Sequence, residues 1–169
     1  MEVSHKTDGQ QLILSEEVYN GINKILDDLA ANTRADMVLV CETNGYPVTH
    51  KGDIPGIDLF TISSLAANNF SATAEMASMI GESGSFKFLF HEGENRNIFL
   101  SNVGYNFILI VIFNVNVALG MVRIYTKKTI DSLIKLLHSA KEEEDKSAEF
   151  LDLEFKSLLS KELNRSLKI

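Results

Sequence analysis

The 169-residue chain contains no tryptophan, one cysteine and two prolines. A lone Cys41 cannot close an internal disulfide, so nothing calls for an oxidising compartment. Set in an apolar run, it reads as a small buried hydrophobe and not as a nucleophile. Basic residues are also short: 16 Lys and Arg stand against 23 Asp and Glu, a net charge of −7. Such a surface is unsuited to nucleic acid, whose phosphates need a cationic partner. The longest apolar run, Phe107 to Phe113, is far too short to cross a bilayer. The opening MEVSHKTDGQQ lacks the basic start and apolar core of a signal peptide, so a cytoplasmic protein is expected.

Catalytic signatures are missing too. There is no GxxxxGK[ST] phosphate loop, so the chain is not itself a P-loop GTPase. It has no G-x-S-x-G or His-Glu-x-x-His motif, and no Cys–His spacing that favours nucleophilic chemistry. His5, His50, His91 and His138 are scattered and not spaced as metal ligands. The run Glu142 to Asp145 gathers like charges that repel one another in solvent and is no calcium loop. Arg34, Arg96 and Arg123 are ordinary surface cations before they are arginine fingers. No catalytic, metal or cofactor site is expected.

What is present is a globular composition, 45% apolar, long enough for one domain with an appendage. Ser15 is placed to cap a helix from about 16 to 32, with Glu16 and Glu17 in its first turn. Val18, Ile22, Ile25, Leu26 and Leu29 give that helix one buried face. Met37 to Cys41 and Pro47 to Lys51 flank Asn44-Gly45, a strong hairpin signal. Phe86, Phe88 and Phe90 alternate in a further strand with an aromatic face. Asn97 to Ser101 and Phe107 to Phe113 complete a meander. The last run is apolar on both sides and belongs at the centre of a sheet. From 117 onward helical spacing returns, although Met121 to Tyr125 also passes for a strand.

The segment that organises the rest is Leu59 to Ile80, LFTISSLAANNFSATAEMASMI, whose only charged side chain is Glu75. On a helical projection Leu59, Ile62, Leu65, Ala66, Phe70, Met76, Met79 and Ile80 form a broad bulky arc. Beside it runs a ridge of mostly small residues, Ser63, Ala67, Ser71, Ala74 and Ser78, headed by Phe60. Only Ser64, Asn68 and Glu75 form a polar remainder. The bulky arc is expected to cover the chain's own sheet. The small ridge is expected to admit a second backbone, from another copy or a partner protein. A helix central to a monomeric core is the competing reading.

Lys141 to Lys146, KEEEDK, reads as a charged, solvated joint. Beyond it Leu151, Phe155, Leu158, Leu159, Leu163 and Leu167 make one apolar stripe of an amphipathic helix, suited equally to its own domain or to a partner. The expected organisation is a flexible N-terminus at 1–11, a domain at 12–140, and a linker with a C-terminal helix at 141–169.

The strand-turn MVLVCETNGYPV, the helix LAANNFSATAEMA, the three-strand meander and the segment ALGMVRIY together resemble the Roadblock/dynein light-chain family, Roadblock/LC7. The likeness covers about three quarters of the chain. It implies an α+β fold of order α-β-β-α-β-β-β-α, with a five-stranded antiparallel sheet sandwiched by helices. The central helix lies on one face, the first and last helices lie on the other, and Met121 to Tyr125 becomes helical. It also implies a dimer, with the Phe86 to Phe90 strand pairing with its twin and the two central helices side by side. Family members serve as platforms for Ras-like small GTPases or as subunits of motor and signalling complexes. Bacterial ones encoded beside a gliding-motility GTPase can stimulate its hydrolysis.

The resulting expectation is a non-enzymatic homodimeric scaffold for a Ras-like GTPase. Phe60, Ser63, Ala67, Ser71, Ala74, Ser78, Phe86, Phe88 and Phe90 would lie at the self-interface. Ser64, Asn68, Glu75, Leu151, Phe155 and Leu158 would face the GTPase. A small-molecule sensor domain and an assembly subunit that touches no GTPase are the alternatives.

Overall fold

The computed structural model describes residues 14–167; the N-terminal segment 1–11 considered above lies outside them. Helix α1, Glu16–Thr33, starts where the Ser15 hydroxyl accepts a hydrogen bond from the Val18 amide at 3.3 Å. Strands β1, Met37–Glu42, and β2, Pro47–Gly52, follow as an antiparallel hairpin. Helix α2, Leu59–Met79, precedes the meander β3, Phe88–His91, β4, Arg96–Gly104, and β5, Phe107–Asn114. Helix α3 then runs from Leu119 to Leu167, 49 residues.

The sheet order is β2-β1-β5-β4-β3, antiparallel at every pairing. This places the all-apolar β5 in the middle, where strand periodicity divides its side chains between two cores. Phe107, Leu109, Val111 and Phe113 join Val18, Ile22, Leu26 and Leu29 of α1 and Val122, Leu133 and Leu137 of α3. Ile108, Ile110 and Ile112 point the other way, into a core with Ala66, Ala67 and Phe70 of α2. Strand β1 divides likewise, with Val38 and Val40 on the first side and Met37, Leu39 and Cys41 on the second. The fold is therefore the expected helix–sheet–helix sandwich, and Met121 to Tyr125 is helical.

The hairpin expected at Asn44-Gly45 forms. The Asn44-Gly45 turn is a four-residue loop in which Gly45 has φ +93° and Asn44 keeps a negative φ. The Gly45 amide donates to the Glu42 carbonyl at 2.9 Å. Gly45 is also pressed onto α2: an added Cβ would stand 2.9 Å from the Ser64 Cα. One detail differs from the sequence reading: Lys141 to Lys146 is helical and continuous with α3. Glu and Lys are good helix formers. Lys141 also pairs with Asp145 at 3.2 Å and Glu144 at 3.7 Å, one turn along. Charge here marks a solvated helix surface and not a break.

Candidate interaction surface

Helix α2 starts at Asp58, whose carboxylate accepts from the Thr61 amide at 2.7 Å and the Thr61 hydroxyl at 2.6 Å. These hydrogen bonds hold the Asp58 carboxyl below the usual carboxylate range. What lies against the sheet is a mixed side of the helix, its small residues together with Phe70 and the partly buried Leu59 and Ile62. Ser63 is 0% exposed, Ala67 5% and Ala77 0%, with Ala66 and Phe70 beside them. Small residues let the α2 backbone settle close to the β1–β2 hairpin. The ridge at Ser63 and Ala67 therefore meets the chain's own sheet, which leaves these two residues no surface for a second molecule. Ala74 is half-buried, whereas Ser71 and Ser78 are exposed.

The outward face is correspondingly bulky. Leu65 is 60% exposed, Met76 58% and Met79 85%, with Ile80 and Phe60 also open. Leu65, Ala72, Met76 and Met79 follow helical spacing, so they form one stripe along the solvent side. Asn68 and Glu75 flank it, exposed, and Ser64 is half-buried beneath the hairpin. Phe60 meets the Tyr46 ring edge-on, 5.5 Å between centroids, at one end of the stripe. The apolar character of these residues was legible in the sequence, but their direction was not.

At the sheet border, β3 pairs only with β4 and leaves its other backbone edge open among the described residues. Its phenylalanines do not stand on that edge. Phe88 stacks on Phe99 at 5.2 Å, Phe90 lies over Phe113 at 6.4 Å, and Phe86 is half-buried. Phe88 keeps 41% exposure and carries the Arg123 guanidinium 4.8 Å above its ring. The rings thus brace β3 from the α3 side, while the backbone presents hydrogen-bonding groups to any added strand.

The far half of α3 is bare. Every described side chain from Asp145 to Arg165 is exposed, including Leu151, Phe155 and Leu158. Among the described residues, no group of three or more His, Cys, Asp or Glu is placed to hold a metal ion. No described helix is long and apolar enough to cross a membrane. Arg96 is paired with Asp36 at 2.9 Å, and His138 lies 3.0 Å from the Tyr105 hydroxyl.

Residues 21–113 match the Roadblock/LC7 domain model. The chain belongs to the Roadblock/LC7 family. Its structure is similar to that of Myxococcus xanthus MglB, with 34% identity and a TM-score of 0.71. That likeness covers 76% of this chain and 96% of MglB. The gliding protein MglB of Thermus thermophilus shares the fold at 24% identity and a TM-score of 0.69, over 78% of this chain and 98% of its own. An uncharacterised protein of Aquifex aeolicus (strain VF5) is 29% identical over 147 residues, 86% of this chain and 91% of that protein.

Proposed function

We propose that this Roadblock/LC7 domain is a homodimeric, non-enzymatic regulator that binds a small Ras-like GTPase in the cytoplasm. The observation that carries the reading is the outward stripe of α2 beside an open β3 edge, in a chain 34% identical to an MglB. Edge-to-edge pairing of two β3 strands satisfies the open backbone groups and continues the sheet. It brings the α2 helices of the two copies together on one side, where Leu65, Met76 and Met79 lose water. Each large side chain so buried contributes on the order of 1.5–3 kcal/mol before association costs. Phe60, Ser71 and Ser78 flank this contact.

The GTPase then docks across the paired helices, against Ser64, Asn68 and Glu75, with Leu151, Phe155 and Leu158 of α3 as a second contact. Any change in hydrolysis comes from holding the switch loops of the GTPase in place.

Light scattering on the purified chain should give the mass of a dimer, and Leu65→Glu with Met76→Glu should give a folded monomer. Pulldown of the Ras-like GTPase encoded nearest to this gene should depend on its nucleotide, GDP or a GTP analogue, and should fail with the double variant. A double variant of unchanged mass would overturn the proposed contact.

A further inference from the structure

On the side of the sheet opposite α2, between β3 and the first turns of α3, lies a cavity of about 620 Å³. This is the size range of sites for small organic molecules. Its walls are Phe88, Phe99, Ile124 and Ile130, with the half-buried Phe86 at the rim. Of the uncharged polar residues in the lining, Ser85 and Asn102 hydrogen-bond to each other at 3.5 Å, and two buried hydroxyls remain. Ser101, 0% exposed, and Thr126, 1% exposed, both have a side-chain oxygen with no hydrogen-bond partner among the described residues. A buried hydroxyl left unpaired is costly, and a pair of them bordering one cavity is a polar floor in want of an occupant.

Three cations, Lys87, Arg123 and Lys127, also line the cavity. None of them forms an ion pair among the described residues, although the chain as a whole carries a charge of −7. The Arg123 guanidinium lies over the Phe88 ring, so its charge is held at the wall. Aromatic and aliphatic walls, two donors and three cations define a complementary guest. It has an apolar body and a single anionic oxygen group.

We infer that this cavity binds a small amphiphilic carboxylate, its hydrocarbon or aryl part against Phe88, Phe99 and Ile130 and its carboxylate held by Arg123 or Lys127. Ser101 and Thr126 donate to its oxygens. The site stands independently of the GTPase reading. Pairing along the β3 edge uses backbone groups and leaves the cavity on the α3 face.

The test uses the full chain, decanoate as probe, and decanol and decyltrimethylammonium as controls, followed by amide chemical shifts. Decanoate should saturate below its micellar concentration and move the amides of Phe88, Ser101, Arg123 and Thr126, with both controls much weaker. Arg123→Gln combined with Lys127→Gln should weaken binding roughly tenfold, the scale of one lost charge-assisted hydrogen bond. Ser101→Ala with Thr126→Val, which keeps shape and removes both donors, should weaken it as well. Shifts confined to Leu65, Met76 and Met79 or to the exposed end of α3 would mean adsorption to open apolar surface and would overturn the assignment. So would equal binding of decanol, or unchanged affinity in the hydroxyl double variant. Light scattering during the titration separates this result from the dimer question, because decanoate should bind without altering the mass.

Discussion

Cys41 sits at the bottom of the α2-side core with 0% exposure, and burial pushes its thiol up to about 12. The nearby Ser63 hydroxyl opposes that shift without forming a hydrogen bond of sound geometry. The native thiol should therefore resist a disulfide reagent at pH 8 and react at once in denaturant. The unfolded thiol loses its proton above its ordinary value of 9.0, while the folded one keeps it. Between those two values the folded state binds more protons, so stability falls as pH rises, by about 1.4 kcal/mol per pH unit. Urea titrations of Cys41→Ala should show a shallower alkaline limb. Asp58 carries the opposite sign. Its folded carboxyl is held low by Thr61, so its contribution is present above the unfolded value and lost as pH falls through the folded one. Asp58→Asn should flatten the acid limb of thermal stability, because an amide still caps without titrating. Asp58→Ala should lower the transition temperature at neutral pH as well.

The elements were legible in the sequence wherever periodicity met a clear boundary. Helix α1, the β1–β2 hairpin and the doubly apolar β5 all follow from spacing, caps and one glycine. The orientation of α2 did not, for a physical reason. A row of small residues shows that some backbone comes close, and says nothing of whose. In this chain the close neighbour is the β1–β2 hairpin; Leu59, Ile62 and Phe70 of the bulky arc pack on the core as expected, while Leu65, Met76, Met79 and Ile80 turn outward. Ala67→Glu should consequently cost several kcal/mol by placing a carboxylate in the core. Leu65→Glu should keep a native circular dichroism spectrum and a cooperative melt. Equal damage from the two substitutions would contradict the burial described for α2. The acidic stretch at 142–145 is a related case: its charge suggests a joint, whereas helix propensity and one-turn ion pairs keep α3 continuous. The cavity beside β3 was illegible because Ser101 and Thr126 come from elements that only the fold brings together.

At the scale of the whole molecule, two cores enclose the sheet, and neither uses the exposed end of α3. Removal of residues 141–169 should leave the thermal transition within a few degrees of the full chain, since no described residue beyond Leu137 is buried and only Lys141 and Glu144 of the removed part are half-buried. Loss of the cooperative transition would show that the tail packs on the domain. The same helix has two very different ends. Val122, Leu133 and Leu137 anchor it in the core, and the stretch beyond them stands free. From Leu137 to Leu167 that stretch is about 45 Å long at 1.5 Å per residue. A stiff rod clamped at one end is a lever arm: tilting its seat by about 5° sweeps the tip through roughly 4 Å over this length. Arg123 to Ile130, part of that seat, also wall the cavity, so a displacement too slight to notice at the root arrives at the tip magnified to the width of an atom.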